Sequence, residues 1–456
     1  MSYPATLSYF LDRLSGYSTN YFKLEPQNQK TAVANQIIRF TLPSNALLNM
    51  RSFALHFNAT ISAGSGGRLP AKIDTLIDRV EVSAGGVQLS AGANYYNVLR
   101  HAKDALMGDR TCPALGHPDI VRRVSYVDGS NITGTNNEVL SSANDSTQFA
   151  IDHFEGFLGS CEPKILDSSL MPDLVVSIYL ADNAVCTTSA GITLSGAGAT
   201  DIDDNGTGSV TYQLNNIHAT IETIGLADAV YDNMISGMIS QQGFIEVPFK
   251  QYFSFQDVSS GQTRFSVATQ SLDRLWVAHR VANFDVQAAP SVVLGYKVED
   301  VGSASGKCGF DEGGSLSTNK EKYIGNFYQF AEPASATKVT YQFQLNGAYI
   351  PQYRASFEEM YEISKNSVLG KPQEQMGLAT LKNDYAVHCV RLNLPESEFS
   401  RLISGLDTRS VSLNGYYNMS GLSGTPTVNL FAEITITLRI GSVSYTHLTL
   451  PTKRIV

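Results

Sequence analysis

The chain has 456 residues, enough for two or three domains that each bury a core of their own. Charged residues make up 16% and aromatics 10%, with 37 glycines, a balance that excludes a disordered chain or a coiled coil and suits a β-rich body with long polar loops. A formal charge of −9 with no Lys/Arg run excludes a surface dedicated to nucleic acid, because neutralising phosphates takes clustered cations.

No apolar run reaches the length of a transmembrane helix, and MSYPATLSYFLDRLSG at the start has neither a basic n-region nor an unbroken apolar h-region. Synthesis in the cytosol is the expectation. The five cysteines, Cys112, Cys161, Cys186, Cys308 and Cys389, are odd in number and scattered, which favours free thiols over a disulfide framework.

In chain order, residues 5–14 predict a short helix with Leu7, Phe10, Leu11 and Leu14 on one side, at the head of a polar N-terminal arm over residues 1–30. Strands are predicted at Ile37–Leu42, Phe53–Ile61 and Ile73–Val82. Val80 and Val82 lead into Gly85-Gly86, Val87 and Leu89 return, and Asn94 opens a helix carrying Tyr95, Val98, Leu99, Ala102 and Leu106. A long excursion follows over 107–166. Leu174–Leu180 alternates as a strand, and Ser189–Ser209 is small and polar, a linker or surface loop.

Thr211–Ile224 reads as the first strand of a second half, followed by a helix at Asp228–Ile239, strands at Phe244–Phe255 and Arg264–Val281, and a second excursion at Gly302–Lys322. Tyr341, Phe343 and Leu345 then alternate with glutamines, and Asn346-Gly347 supplies the two positive-φ positions of a type I′ turn before Ala348–Ile350 returns. Ser356 and Glu359 have capping-box spacing at the head of a helix that Gly370 and Pro372 close. A short helix at Glu396–Ile403 and a last strand at Thr427–Ile440 complete the chain.

This hairpin and helix repeat the layout at Val80–Leu106. Two further pairs extend the repeat: Val175–Ala181 with Phe431–Ile440, and Leu42–Phe57 with Val267–Val281. The expected organisation is an arm at 1–30, a first β domain at 31–208 and a second at 209–441.

Residues 442–456 stand apart. VSYTHLTLPT at Val443–Thr452 is similar, residue for residue, to one reading frame of a transposase sequencing adapter, so this tail is expected to be non-native.

Candidate chemistry is sparse. Asp201–Gly206 has the spacing of the first half of an EF-hand loop, but the twelfth position is Tyr212 where a bidentate carboxylate belongs. Cys112 with His117, and His388 with Cys389, fall short of the four paired ligands zinc requires. Gly302–Gly306 has Ala304 where a nucleophile elbow needs serine, and Glu358-Glu359 reads as a solvated helix face. No catalytic residue, cofactor or metal is assigned. The residues singled out are structural turns and caps: Gly85, Gly86, Asn346, Gly347, Ser356, Glu359 and Gly370.

Four stretches carry a family resemblance: YQFQLNGAYIPQ at Tyr341–Gln352, LVVSIYLADN at Leu174–Asn183, GFIEVPFKQYFSF at Gly243–Phe255 and SLDRLWVAHR at Ser271–Arg280. With the tandem layout, the chain resembles the double jelly-roll major capsid proteins of virophages, polinton-like viruses and related DNA viruses. The resemblance implies an all-β fold of two tandem eight-stranded jelly-roll sandwiches with a few short helices and long loops. It also implies a homotrimer of pseudo-hexagonal outline tiling an icosahedral capsid in the virion, beside penton or minor capsid proteins. The arm and the Gly302–Lys322 excursion are expected to contact neighbouring copies, being too polar for a core and too long for simple connections. A carbohydrate-binding β-sandwich (lectin or adhesin) and a jelly-roll glycosidase use similar sheets and stay open.

Overall fold

The computed structural model describes residues 17–62, 67–68, 73–107, 148–171, 173–185, 187–188, 211–226, 235, 237, 239–241, 243–280, 296–300, 320–323, 330, 332–333, 335–368, 386–394, 403–409, 414–441 and 446–448. The expectations placed on residues 5–14, Cys112, His117, the 189–209 linker, Asp201–Gly206, Gly302–Gly306, Gly370 and most of Glu396–Ile403 lie outside them.

Among the described residues eight main strands build the first half, with four shorter strands of two or three residues beside them: β1 Tyr17–Leu24, β2 Ile37–Thr41, β3 Leu47–Ser62, β4 Ile77–Ala84, β5 Val87–Ser90, β6 Gln148–Ile151, β7 Leu174–Leu180 and β8 Thr211–Leu226. They lie in two antiparallel sheets, β1-β8-β3-β6 and β2-β7-β4-β5. The second half has β9 Phe244–Val258, β10 Gln262–Phe265, β11 Leu272–Arg280, β12 Ser335–Leu345, β13 Ala348–Ala355, β14 Val387–Arg391, β15 Gly415–Leu422 and β16 Thr427–Gly441. Its sheets are β9-β16-β11-β14 and β10-β15-β12-β13. Counted within its own half, each set reads 1-8-3-6 and 2-7-4-5, the interleaved order of a jelly roll, so the fold is two jelly rolls in tandem.

The alternation that marks the strands is the alternation that fills the cores. Leu174, Val176, Ile178 and Leu180 are buried along β7 while Val175, Ser177 and Tyr179 are half-buried. Phe40, Phe53 and Phe57 fill the first core and Phe265, Phe343 and Tyr417 the second, each contributing about 1.5–3 kcal/mol by leaving water.

The hairpins have the geometry their sequences require. Gly85 and Gly86 have φ of 55° and 81°, and Asn346 and Gly347 have 50° and 90°, the left-handed values of a two-residue turn. Helix α1, Tyr96–Met107, begins two residues after Asn94 because Tyr95 itself is left-handed, with φ 59°. Helix α2 is the single turn Phe157–Ser160, and α3 is Phe357–Ser367. At α3, Ser356 Oγ accepts from Glu359 N while Glu359 Oε2 accepts from Ser356 N, a closed capping box.

Three sequence-based expectations change. Residues 17–24 are not an arm: they are the first strand of the first roll, paired along their whole length with β8. Thr211–Leu226 does not open the second half, since it pairs with β1 and β3 and closes the first roll, which moves the boundary past residue 226. The match of Val175–Ala181 to Phe431–Ile440 joins a seventh strand to an eighth; the counterpart of β7 is β15. Alternation reports which face is buried and is silent about which strand lies alongside.

Candidate functional site: the seam between the rolls

The seam is built from α1 and the segment that follows β6, set against β9 and β11 of the second roll. Glu155 is its centre. It accepts from Lys103 Nζ at 2.5 Å and Arg100 Nη1 at 3.0 Å, both from α1. From the second roll, Tyr252 OH donates to Glu155 Oε2 at 3.2 Å and accepts from Lys103 Nζ at 3.1 Å. Arg100 also faces Asp104 at 3.4 Å and Asp74 at 3.6 Å, so the buried cations and anions are interleaved.

Burial alone pushes the Glu155 carboxyl up, but Lys103 and Arg100 outweigh it and hold the group down at about 2. Burial, reinforced by the Glu155 charge, drives the Tyr252 phenol the other way, far above its usual range, so it stays a neutral donor.

The edge of β9 is closed by the same segment of the first roll. Pro248 O accepts from Glu162 N at 3.0 Å and Lys250 N donates to Ser160 Oγ at 2.8 Å, which satisfies backbone groups on an otherwise open strand edge. Phe157 meets Phe249 edge to face, with ring centroids 5.0 Å apart. Arg280 lies 5.2 Å from the Tyr95 ring centroid, and Lys103 lies 6.0 Å from that of Trp276.

Behind the seam, Glu433 accepts from Trp276 Nε1 at 2.9 Å and Arg274 Nη1 at 3.0 Å, while Arg274 Nε donates to Ser367 O at 3.1 Å. Burial would raise the Glu433 carboxyl, but Arg274, Lys103 and Lys250 together keep it below its usual range. Lys250 and Thr435 both donate to Asp273, which also accepts from Ser271 Oγ at 2.6 Å.

These groups make a framework of fixed charges, with each carboxylate occupied by cations and hydroxyls. Among the described residues no three His, Cys, Asp or Glu side chains converge as a metal site. His388 and Cys389 point into different surroundings: His388 Nδ1 meets Tyr417 OH, whereas Cys389 packs in the core with its N–H on Ser364 Oγ. Glu358 pairs with Lys338 at 3.4 Å on the surface.

The turn and cap residues Gly85, Gly86, Asn346, Gly347, Ser356 and Glu359 lie away from the seam, at hairpin tips and the head of α3. Glu155 carries no local motif. The others are marked only by position, Lys103 by the repeated unit that contains α1, Glu433 by the repeated stretch Phe431–Ile440, and Tyr252 by GFIEVPFKQYFSF, while SLDRLWVAHR supplies Arg274 and Trp276.

A chain of two tandem eight-stranded rolls joined by a buried seam is of the double jelly-roll class. The fold is similar to the PBCV-1 virus capsid quasi-atomic model, with TM-score 0.56 and 12% identity over 97% of this chain and 98% of that one. It is equally similar to PBCV-1 VP54 fitted into a reconstruction of the virophage Sputnik, with TM-score 0.56 and 13% identity over 97% of this chain and 98% of that one. The Faustovirus major capsid protein matches with TM-score 0.55 and 11% identity over 96% of this chain and 93% of that one. The fold is therefore the double jelly roll of viral major capsid proteins. No protein-family model matches the chain, and no curated protein matches it.

Proposed function

We propose that this chain is a structural major capsid protein that trimerises into pseudo-hexameric capsomers and builds an icosahedral DNA-virus shell. The observation that carries this reading is the pair of rolls with identical strand order, locked by a buried seam, in a fold that overlaps the PBCV-1 capsid model over 97% of its length. Two similar bodies side by side give a trimer six similar corners, and one interface repeated by cyclic symmetry suffices to build it. Its partners are other copies of itself and the penton or minor capsid proteins of the shell, with no sequence-specific contact to nucleic acid. It resides in the virion after synthesis in host cytosol, and it has no enzymatic task.

Tyr349 and Tyr353 on edge strand β13, 47% and 53% exposed, favour the second reading, a carbohydrate-binding sandwich. Native mass and negative-stain imaging of residues 1–441 separate the two. Trimers of hexagonal outline are expected; a stable monomer that retains glycans on an array would overturn the capsid reading.

A further inference from the structure

His56 and His218 face each other across a sheet of the first roll. They are directly opposite in the antiparallel pairing of β3 with β8, and their rings stack with centroids 5.0 Å apart and planes 12° from parallel. Strand alternation puts Leu55, Phe57 and Ala219 in the core and leaves both histidines half-buried on the outer face.

A bulge brings the two rings together. Asn215 pairs with Asn58 and His218 with His56, so β8 takes three steps where β3 takes two. Asn216, left-handed at φ 53°, and the buried Ile217 accommodate the extra residue. In an unbroken ladder Ile217 would stand opposite His56 on the outer face and His218 would point inward. The bulge reverses both.

The same bulge orients the second ring. Asn216 O can only accept, so His218 Nδ1, 2.9 Å away, carries the proton and Nε2 keeps its lone pair. A carbonyl on Nδ1–H is the usual device that fixes a metal-ligating histidine in the tautomer offering Nε2. On His56, Nε2 meets the hydroxyl of Thr220 at 3.0 Å, a rotor that serves as donor or acceptor and can give way to another partner.

Charges reach the pair from the flanking strands: Lys23 on β1, opposite Thr220; Glu25, which Lys30 engages at 2.8 Å; and Asp152 at the end of β6. Burial, then the neighbouring ring, hold His56 below its usual range; Asp152 opposes them and Lys23 adds to them. The ring is neutral at pH 7, the form that ligates a metal.

We infer that His56 and His218 together form a binding site for one divalent transition-metal ion of the zinc, nickel or copper class, which ties β3 to β8 at the bulge with water in its remaining positions. Imidazole nitrogen favours these ions over calcium and magnesium, which take oxygen. Two protein ligands are fewer than the four of a structural zinc site, so the ion exchanges with solution.

The test uses the full chain stripped of metal by a chelator and titrated with zinc chloride in a calorimeter. The parent is expected to bind one more zinc ion than His56→Gln or His218→Gln, each of which weakens that site at least about tenfold. Both variants sit on the outer face and should melt, without zinc, within about 1 °C of the parent. Saturating zinc should raise the melting temperature of the parent by at least about 2 °C and leave that of the variants unchanged. His153→Gln, at an exposed ring that engages Asp152 at 2.7 Å, should bind as the parent does. A parent that binds no more zinc than the variants, or an equal loss in His153→Gln, would overturn the site. The second measurement needs no substitution: diethyl pyrocarbonate acylates free imidazole nitrogen, and peptide mass mapping reads each histidine separately. Zinc should slow modification of His56 and His218 at least about tenfold and leave His153 unaffected; equal rates at the pair with and without zinc would overturn the proposal.

Discussion

His279 and His388 stand edge to face, ring centroids 5.0 Å apart, and meet at a single hydroxyl, that of Tyr417. The direction of each bond follows from one acceptor. Ala386 O can only accept, so His279 Nδ1 carries the proton that points at it across 3.2 Å, and His279 Nε2 takes the Tyr417 proton at 2.9 Å. Tyr417 oxygen then accepts from His388 Nδ1 at 2.9 Å, which leaves His388 Nε2 buried with no hydrogen-bond partner. A proton added there would be a buried charge with nothing to receive it.

Both rings are neutral in the fold. Burial lowers His279 from 6.5 to about 4, and burial together with His279 holds His388 well below its usual range. Below pH 6.5 the unfolded chain binds protons that the folded chain refuses, so this contribution to stability is complete above that pH and is lost as pH falls toward 4. The expected slope is at most about 1.4 kcal/mol per pH unit for each histidine. Fluorescence of Trp276, the one tryptophan, reports melting of this roll, and His388→Phe should flatten the profile between pH 4 and 6.5. A wild-type melting temperature constant over that range would contradict the assignment.

Glu155 governs a lower window. Glu155→Gln preserves shape but leaves Lys103 and Arg100 buried without their carboxylate, and should destabilise the chain at pH 7 by about 3–5 kcal/mol in urea unfolding. The folded-state carboxyl is depressed to about 2 from 4.5, so its contribution is present above pH 4.5 and disappears as pH falls toward 2. The gap between wild type and variant should close over that window; a gap independent of pH would mean that the carboxylate charge is not what holds the seam.

The second hairpin and its helix test local geometry. Gly347→Ala has open space for its methyl but a φ of 90°, so strain alone should cost roughly 1 kcal/mol. Ser356→Ala removes the acceptor of the capping box and should cost about 1 kcal/mol. Gly424→Ala, with equal space and no positive φ, is the control and should change stability by less than about 0.5 kcal/mol. Equal losses at Gly347 and Gly424 would remove the backbone explanation.

The tail is testable by truncation. Thr446–Leu448 pairs with Leu438–Ile440, yet residues 442–456 are expected to be foreign to the fold. A chain ending at Gly441 should melt within about 1 °C of the full chain in differential scanning calorimetry. A larger fall would make those three pairs part of the native sheet.

What the sequence determined by itself is local. Asn346-Gly347 and Gly85-Gly86 specify turns because few residues tolerate two successive left-handed positions, and Ser356 with Glu359 specifies a helix start because the cap closes within four residues. Repetition of that unit was enough to reveal two related rolls. Tertiary structure alone decided which strands are neighbours, because the alternation of Thr211–Leu226 is compatible with either roll and only its pairing with β1 and β3 places it in the first. It also decided the seam, where Glu155 meets Tyr252 across nearly a hundred residues. Charge pairing at that separation follows from how two cores pack against each other, and leaves no period or spacing in the chain to be read.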